Sequence, residues 1–125
     1  MDKQKIKGLA VRFIIVLGVI LIFGAFDYYA HSLSLEYTVP SRYFRNKIIF
    51  GTVYGFVTYL LIRRQSLFMR ALIFSLAVSV LLQIRYFLEG YPLDFVELFL
   101  GIHLGILLVV SYIAFRITDK LALKC

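Results

Sequence analysis

The sequence predicts an all-α polytopic membrane protein, an antiparallel bundle of four transmembrane helices with both termini in the cytoplasm. Three observations lead there. Four uncharged, strongly apolar runs, residues 13–26, 48–62, 71–84 and 98–115, divide a chain of 125 residues. A basic residue stands at or near a border of each: Arg12, Lys47, Arg70 with Arg85, and Arg116. With 62% hydrophobic residues and a mean hydropathy of +0.89, too little polar surface is left to coat a soluble globule of this size.

A spanning helix needs roughly 20 residues to cross about 30 Å of hydrocarbon. The four runs hold 14, 15, 14 and 18 residues, so the bordering Arg and Lys must snorkel, stems along lipid and heads at the interface. The helices are then expected at about 8–30, 43–63, 67–89 and 93–117. This leaves one transmembrane domain, 1–125, and no room for a soluble catalytic module.

The first run follows Lys3, Lys5 and Lys7, a basic start that a cleaved signal peptide also shows. No small-x-small site follows it, since Phe26, Asp27, Tyr28 and Tyr29 occupy that region, and we read it as a retained helix. Between the first two helices, residues 31–42 alternate polar with apolar or aromatic side chains, a pattern suited to a segment lying in the interface. Pro40 biases Val39 away from helix, and Ser41 is the expected N-cap of the second helix. Arg63-Arg64-Gln65-Ser66 makes a tight turn with Ser66 as N-cap. Gly90-Tyr91-Pro92 ends the third helix, Gly90 by taking a left-handed conformation and Pro92 by forbidding continuation. Such short loops force the second, third and fourth helices to pack antiparallel in sequence order.

The net charge of +7 reads as topology. Lys3, Lys5, Lys7, Arg12, Arg63, Arg64, Arg70, Arg116, Lys120 and Lys124 fall on one side of a four-span arrangement. Arg42, Arg45, Lys47 and Arg85 fall on the other. The positive-inside rule then places both termini in the cytoplasm of a cell membrane. The expected partners are the bilayer and its anionic headgroups on the cytoplasmic side, and nucleic acid is not expected. Cys125 is the only cysteine, so there is no disulfide framework or cysteine metal cluster.

Small residues point to helix packing. Gly51-x-x-x-Gly55 and Gly101-x-x-x-Gly105 are close-approach motifs, and Ala71, Ser75, Ser79 and Gln83 form a stripe on the third helix. Packing within the bundle is the main expectation, with a homo-oligomer or a membrane-protein partner as the alternative.

The candidate site is an outward-facing polar pocket formed by Asp27, His31, Arg85, Glu89, Asp94, Glu97 and His103. Five of the seven acids, Asp27, Glu36, Glu89, Asp94 and Glu97, lie toward the outer side, whereas Asp2 and Asp119 are cytoplasmic. Asp27 and His31 share a helix face, as do Arg85 and Glu89. Ionisable groups this close to hydrocarbon cost a few kcal/mol each unless paired, as a rough estimate, and an Asp27–Arg85–Glu97 network would relieve that cost. His103, the deepest, points about 120° from Glu97 and is expected neutral, bonded to a serine or a backbone carbonyl. His31 and His103 are expected too far apart in depth for bis-histidine haem ligation. No catalytic signature is present. Ser32, Ser34, His31 and Glu36 are triad residue types that are merely local in sequence, and Gly51 and Gly55 follow no strand. No cofactor or metal is expected.

Asn46-Lys47-Ile48-Ile49-Phe50 leading to Tyr54, then Arg63-Arg64, together with Asp94-x-x-Glu97 before Gly101 and Gly105, resembles the VanZ-like family of small four-span membrane proteins. The family pattern on the second helix is Asp-Lys-x-x-His-Phe-x-x-Tyr. Phe50 stands where the family has histidine, Gln83 near its glutamate, and Gly101 at its asparagine. The resemblance covers about the last 80 residues and implies a cell-envelope role without defined chemistry. From the residues themselves we expect a non-enzymatic membrane protein whose outward pocket takes a lipid headgroup, an envelope-active compound or a small ligand. Accessory-subunit and proton- or ion-coupled roles are the alternatives.

Overall fold

The computed structural model describes residues 3–120, all α-helical apart from short connections and with no strand among them. The helices are α1 (Lys3–His31), α2 (Arg42–Leu61), α3 (Leu67–Leu88) and α4 (Leu93–Lys120), and a 3₁₀ turn (Leu35–Tyr37) lies between α1 and α2. Asp2, Lys124 and Cys125 lie outside the described residues. α1 starts five residues before the expected boundary and α4 runs three past it, because nothing in Lys3–Lys7 or after Ile117 breaks a helix. Three of the four helices, α1, α3 and α4, are long and apolar enough to cross a membrane. α2 is not in that group, since Arg42, Arg45, Asn46 and Lys47 fill its first two turns.

Local chemistry explains the ends. The Ser66 hydroxyl accepts from the Met69 amide, capping α3. Gly90 sits at φ +83°. The Tyr91 amide there donates to the Tyr86 carbonyl and the Gly90 amide to that of Phe87, closing the paired bonds of a left-handed helix stop. Ser41 does not cap α2. Its own backbone is already helical (φ −59°, ψ −29°), so its hydroxyl is not aimed back at the first-turn amides, and the Tyr43 amide donates to the Pro40 carbonyl instead.

The helices form a ring in which α1 packs on α2, α2 on α3, α3 on α4 and α4 back on α1, the α3–α4 contact being the broadest. Gly51 and Gly55 make the α2 approach possible. A Cβ on Gly51 would lie 3.5 Å from Ile20, and one on Gly55 would lie 3.0 Å from Phe74 and 3.3 Å from Val16. Gly101 and Gly105 are different. Both are exposed, and nothing lies within 4 Å of where their Cβ atoms would be. The face of α4 that packs inward carries Phe99, His103, Leu107, Ser111 and Phe115, and the glycines are rotated off it.

Two apolar clusters fill the ring. The larger holds Val16, Ile20, Phe23, Phe74, Val78, Leu107 and Phe115. The smaller, toward the 3₁₀ turn, holds Tyr43, Tyr86, Phe95, Val96 and Phe99. Asp27 follows Phe23 by one helical turn and precedes Ala30. His103 sits between Phe99 and Leu107. The buried charges therefore lie at the seam between the clusters. At the opposite end, buried Arg70 pairs with Asp119 and donates from Nε to the Gln65 carbonyl at 3.2 Å. This ties the start of α3 to the end of α4.

Candidate functional site: a buried Asp–Lys–His centre beside an apolar groove

All four helices contribute to one polar centre. Asp27 of α1 is fully buried, and its two oxygens are divided between partners. Oδ2 accepts from Lys47 Nζ of α2 at 2.6 Å, and Oδ1 accepts from His103 Nε2 of α4 at 2.7 Å. His31, one turn along α1, brings Nε2 to 3.3 Å from Oδ1. The same nitrogen lies 3.2 Å from Lys47 Nζ and 3.1 Å from the Tyr86 hydroxyl of α3.

The second nitrogens of the two histidines fix their roles. His31 Nδ1 donates to the Tyr37 carbonyl at 2.6 Å, so the 3₁₀ turn holds the ring with Nε2 directed into the centre. The ring also stacks flat on Phe99, centroids 4.0 Å apart. His103 donates from Nε2 to Asp27, which leaves Nδ1 as a lone pair; that atom is buried without a partner. Lys47 Nζ lies over the rings of Tyr86 (4.9 Å) and Phe44 (5.4 Å), so the ammonium is held by a carboxylate and two π faces. Asp27, His31 and His103 offer donor atoms within 4.8 Å of one another. Within that set Asp27 and His31 lie against Lys47 Nζ, and His103 reaches the ammonium only through Asp27.

Beside the centre, α2 and α3 enclose a groove of about 410 Å³. Phe50, Val53, Val57, Leu81 and Leu82 line it together with Asn46, Lys47 and Arg85, and its surface is almost wholly apolar. The Arg85 guanidinium lies 4.7 Å over the Tyr43 ring. Its Nε is 3.6 Å from Glu89, an ion pair too long for a hydrogen bond, and makes no other bond. A smaller recess of about 280 Å³, lined by Tyr28, His31, Thr38 and Phe44, reaches His31 from the end carrying the 3₁₀ turn.

The structure thus brings Asp27, His31 and His103 together and leaves the other expected residues outside. The expected Asp27–Arg85–Glu97 network does not form. Glu97 is exposed, because six residues of helix turn it away from the face that carries His103. Arg85 is one residue, about 100°, from the inward Tyr86 and so lies at the groove. Asp94 is exposed and accepts only from the adjacent Phe95 amide, at 2.9 Å. The expected partner of His103, a serine or backbone carbonyl, is replaced by Asp27. The two histidines are not separated in depth, their ring centroids being 6.3 Å apart. Phe99 of α4 stacks on His31 at the end of α1, so His103, one turn further along α4, comes level with Asp27.

Sequence reasoning missed Lys47 and Tyr86 as members of the centre. Lys47 reads as a snorkelling border residue, yet it lies four and eight residues before Gly51 and Gly55. It therefore shares the face of α2 that packs on α1, and that spacing was the available signal. Tyr86 extends the Ser75, Ser79, Gln83 stripe by three residues. Comparison with protein-family models, with curated proteins and with solved structures gives no significant match for the chain.

Proposed function

We propose that the chain is a four-span membrane protein that binds an anionic amphiphile, a lipid-like molecule whose tail lies in the α2–α3 groove and whose head meets Arg85 and Lys47. The observation that carries this reading is the composition of the groove: an almost wholly apolar surface with two basic residues among those that line it, Arg85, exposed to a third, and Lys47, buried. Its volume of about 410 Å³ falls within the usual range for small-molecule sites, about 300–1,000 Å³. Lys47 and Tyr54, which match the VanZ-like pattern on this helix, both line the groove, and a cell-envelope role fits the proposal.

In this reading all four helices span the bilayer. α2 does so despite its charged first turns, because Lys47 is neutralised inside the bundle and Arg42 and Arg45 are exposed at its end. The end bearing Lys3, Lys5, Lys7, Arg63, Arg64, Arg116 and Lys120 faces the cytoplasm of the plasma membrane, which turns Lys47 and Arg85 toward the outer side. Reporter fusions at both termini are expected to be active only in the cytoplasm.

The binding reading is tested with a photoactivatable fatty acid in reconstituted bilayers. Label is expected on α2 and α3 at Phe50, Val53 and Leu82. Val53→Trp, which fills the groove, is expected to abolish it. Arg85→Gln should weaken capture of the fatty acid without affecting an uncharged analogue. Label spread evenly over the lipid-facing surfaces of all four helices would refute the proposal. A second reading, docking of a partner helix, draws on the uncovered Gly101 and Gly105 on the outward face of α4.

A further inference from the structure

Lys47 belongs to two environments at once. Its Nζ is 2.6 Å from Asp27 on the α1 side, and its side chain also lines the α2–α3 groove next to Arg85. The charges around it cancel: Asp27 against Lys47, and Arg85 against Glu89. An anionic head entering the groove beside Arg85 competes with Asp27 for the ammonium and leaves the neighbourhood one negative charge in excess. Arg85 and Glu89 are more than a third exposed, but an uncompensated charge against the buried Asp27–Lys47 pair is costly. A proton is the smallest cation that can restore the balance.

The centre holds places for that proton. His103 Nδ1 has a free lone pair, while Nε2 of the same ring already donates to Asp27. Protonation there creates an imidazolium directly against the carboxylate. His31 Nε2 lies 3.3 Å from the same oxygen and becomes a donor to it on protonation. His31 also borders the recess at the 3₁₀ turn, which gives water a route to the cluster. Groups from every helix face the acceptor. Asp27, His31 and Phe23 come from α1, Lys47 from α2, Tyr86 from α3, and Phe99 precedes it on α4.

We propose that anion binding in the α2–α3 groove is coupled to uptake of one proton from the outer side by the Asp27–His31–His103 cluster, an inference that rests on the amphiphile-binding reading above. The proton comes from water, is shared within the cluster rather than owned by one ring, and leaves when the anion leaves. By linkage, affinity for the anion rises as pH falls, approaching tenfold per pH unit where uptake is complete.

The test is calorimetric titration of the full chain in nanodiscs with hexadecanesulfonate, whose charge is fixed across the working range. Titrations in buffers of different ionisation enthalpy report protons directly. One proton taken up per anion is expected, with none for the uncharged hexadecanol. His103→Gln, which preserves the donor to Asp27, and His31→Gln are each expected to bind more weakly and to flatten the pH dependence. Sulfonate binding with no proton exchange and a flat affinity would overturn the coupling while leaving the groove reading intact. No sulfonate binding at any pH would overturn the groove reading itself, and the coupling with it.

Discussion

Replacing Lys47 by Met tests whether the buried ammonium is what makes Asp27 tolerable. The side chain keeps its approximate volume and loses its charge, so Asp27, fully buried and bonded to Lys47 Nζ at 2.6 Å, loses its counter-ion. At that separation the pair attraction is about 6 kcal/mol with an effective dielectric near 20. The desolvation of both groups offsets much of this in the intact pair. It offsets nothing once one partner is gone, and the penalty for an orphaned buried charge is about 3–5 kcal/mol. Lys47→Met is therefore expected to lose several kcal/mol in reversible unfolding followed by circular dichroism in mixed micelles. Adding Asp27→Asn removes the stranded charge and still offers His103 an amide oxygen, so the double variant should be more stable than Lys47→Met alone. A loss below about 1 kcal/mol, or a double variant less stable than the single one, would show that the ammonium does not neutralise the centre.

Gly55→Leu is expected to destabilise by about 1–3 kcal/mol, because even a Cβ there meets Phe74 at 3.0 Å and Val16 at 3.3 Å. Thermal unfolding in detergent checks it. Gly105→Leu faces open space and should leave stability within about 0.5 kcal/mol of the parent. If that variant alone loses a co-purifying membrane protein, the docking reading of α4 gains its support. Arg70→Gln and Asp119→Asn divide one ion pair unequally. The buried arginine also donates to the Gln65 carbonyl, so its loss should cost about 1–3 kcal/mol, whereas half-exposed Asp119 should cost about 0–1 kcal/mol; both are read from denaturation midpoints.

The helix inventory was legible because apolar runs, Pro40, Ser66 and Gly90 are local signals that act through the backbone alone. Glycine pairs at one-turn spacing were only half a guide: Gly51 and Gly55 do mark a close approach, whereas the same spacing at Gly101 and Gly105 faces open space. The partner choices at the centre were less accessible. Grouping the acids by side of the membrane brought Glu97 in and left Lys47 out, whereas membership depends on helix rotation, which a depth count ignores. Depth itself misled for His31 and His103, since the relative axial shift of α1 and α4 follows from side-chain packing of Phe95 and Phe99 over the end of α1. No residue in either helix announces that shift. The groove was invisible for a different reason: it is the space between Val53 and Val57 of α2 and Leu81 and Leu82 of α3, and each of these reads in sequence as ordinary lipid-facing surface.

The energetics separate scaffold from site. A buried ion pair is a poor way to stabilise a bundle, since well-packed apolar replacements of similar volume are commonly neutral or stabilising by about 1–4 kcal/mol. Van der Waals closure at this level is already supplied by the two flanking clusters, with Phe23 and Leu107 on one side and Tyr43 and Phe99 on the other. What the pair adds is a buried cation on a side chain that also lines an apolar groove, at a depth where an unneutralised lysine would be expelled. Asp27 keeps that cation in place, and His103 keeps Asp27 oriented with its own Nδ1 lone pair to spare. Replacing Asp27, Lys47 and His103 together by Leu should therefore yield a bundle at least as stable as the parent that no longer distinguishes an anionic amphiphile from a neutral one. Stability and anion preference lost in parallel would instead assign the centre to the scaffold.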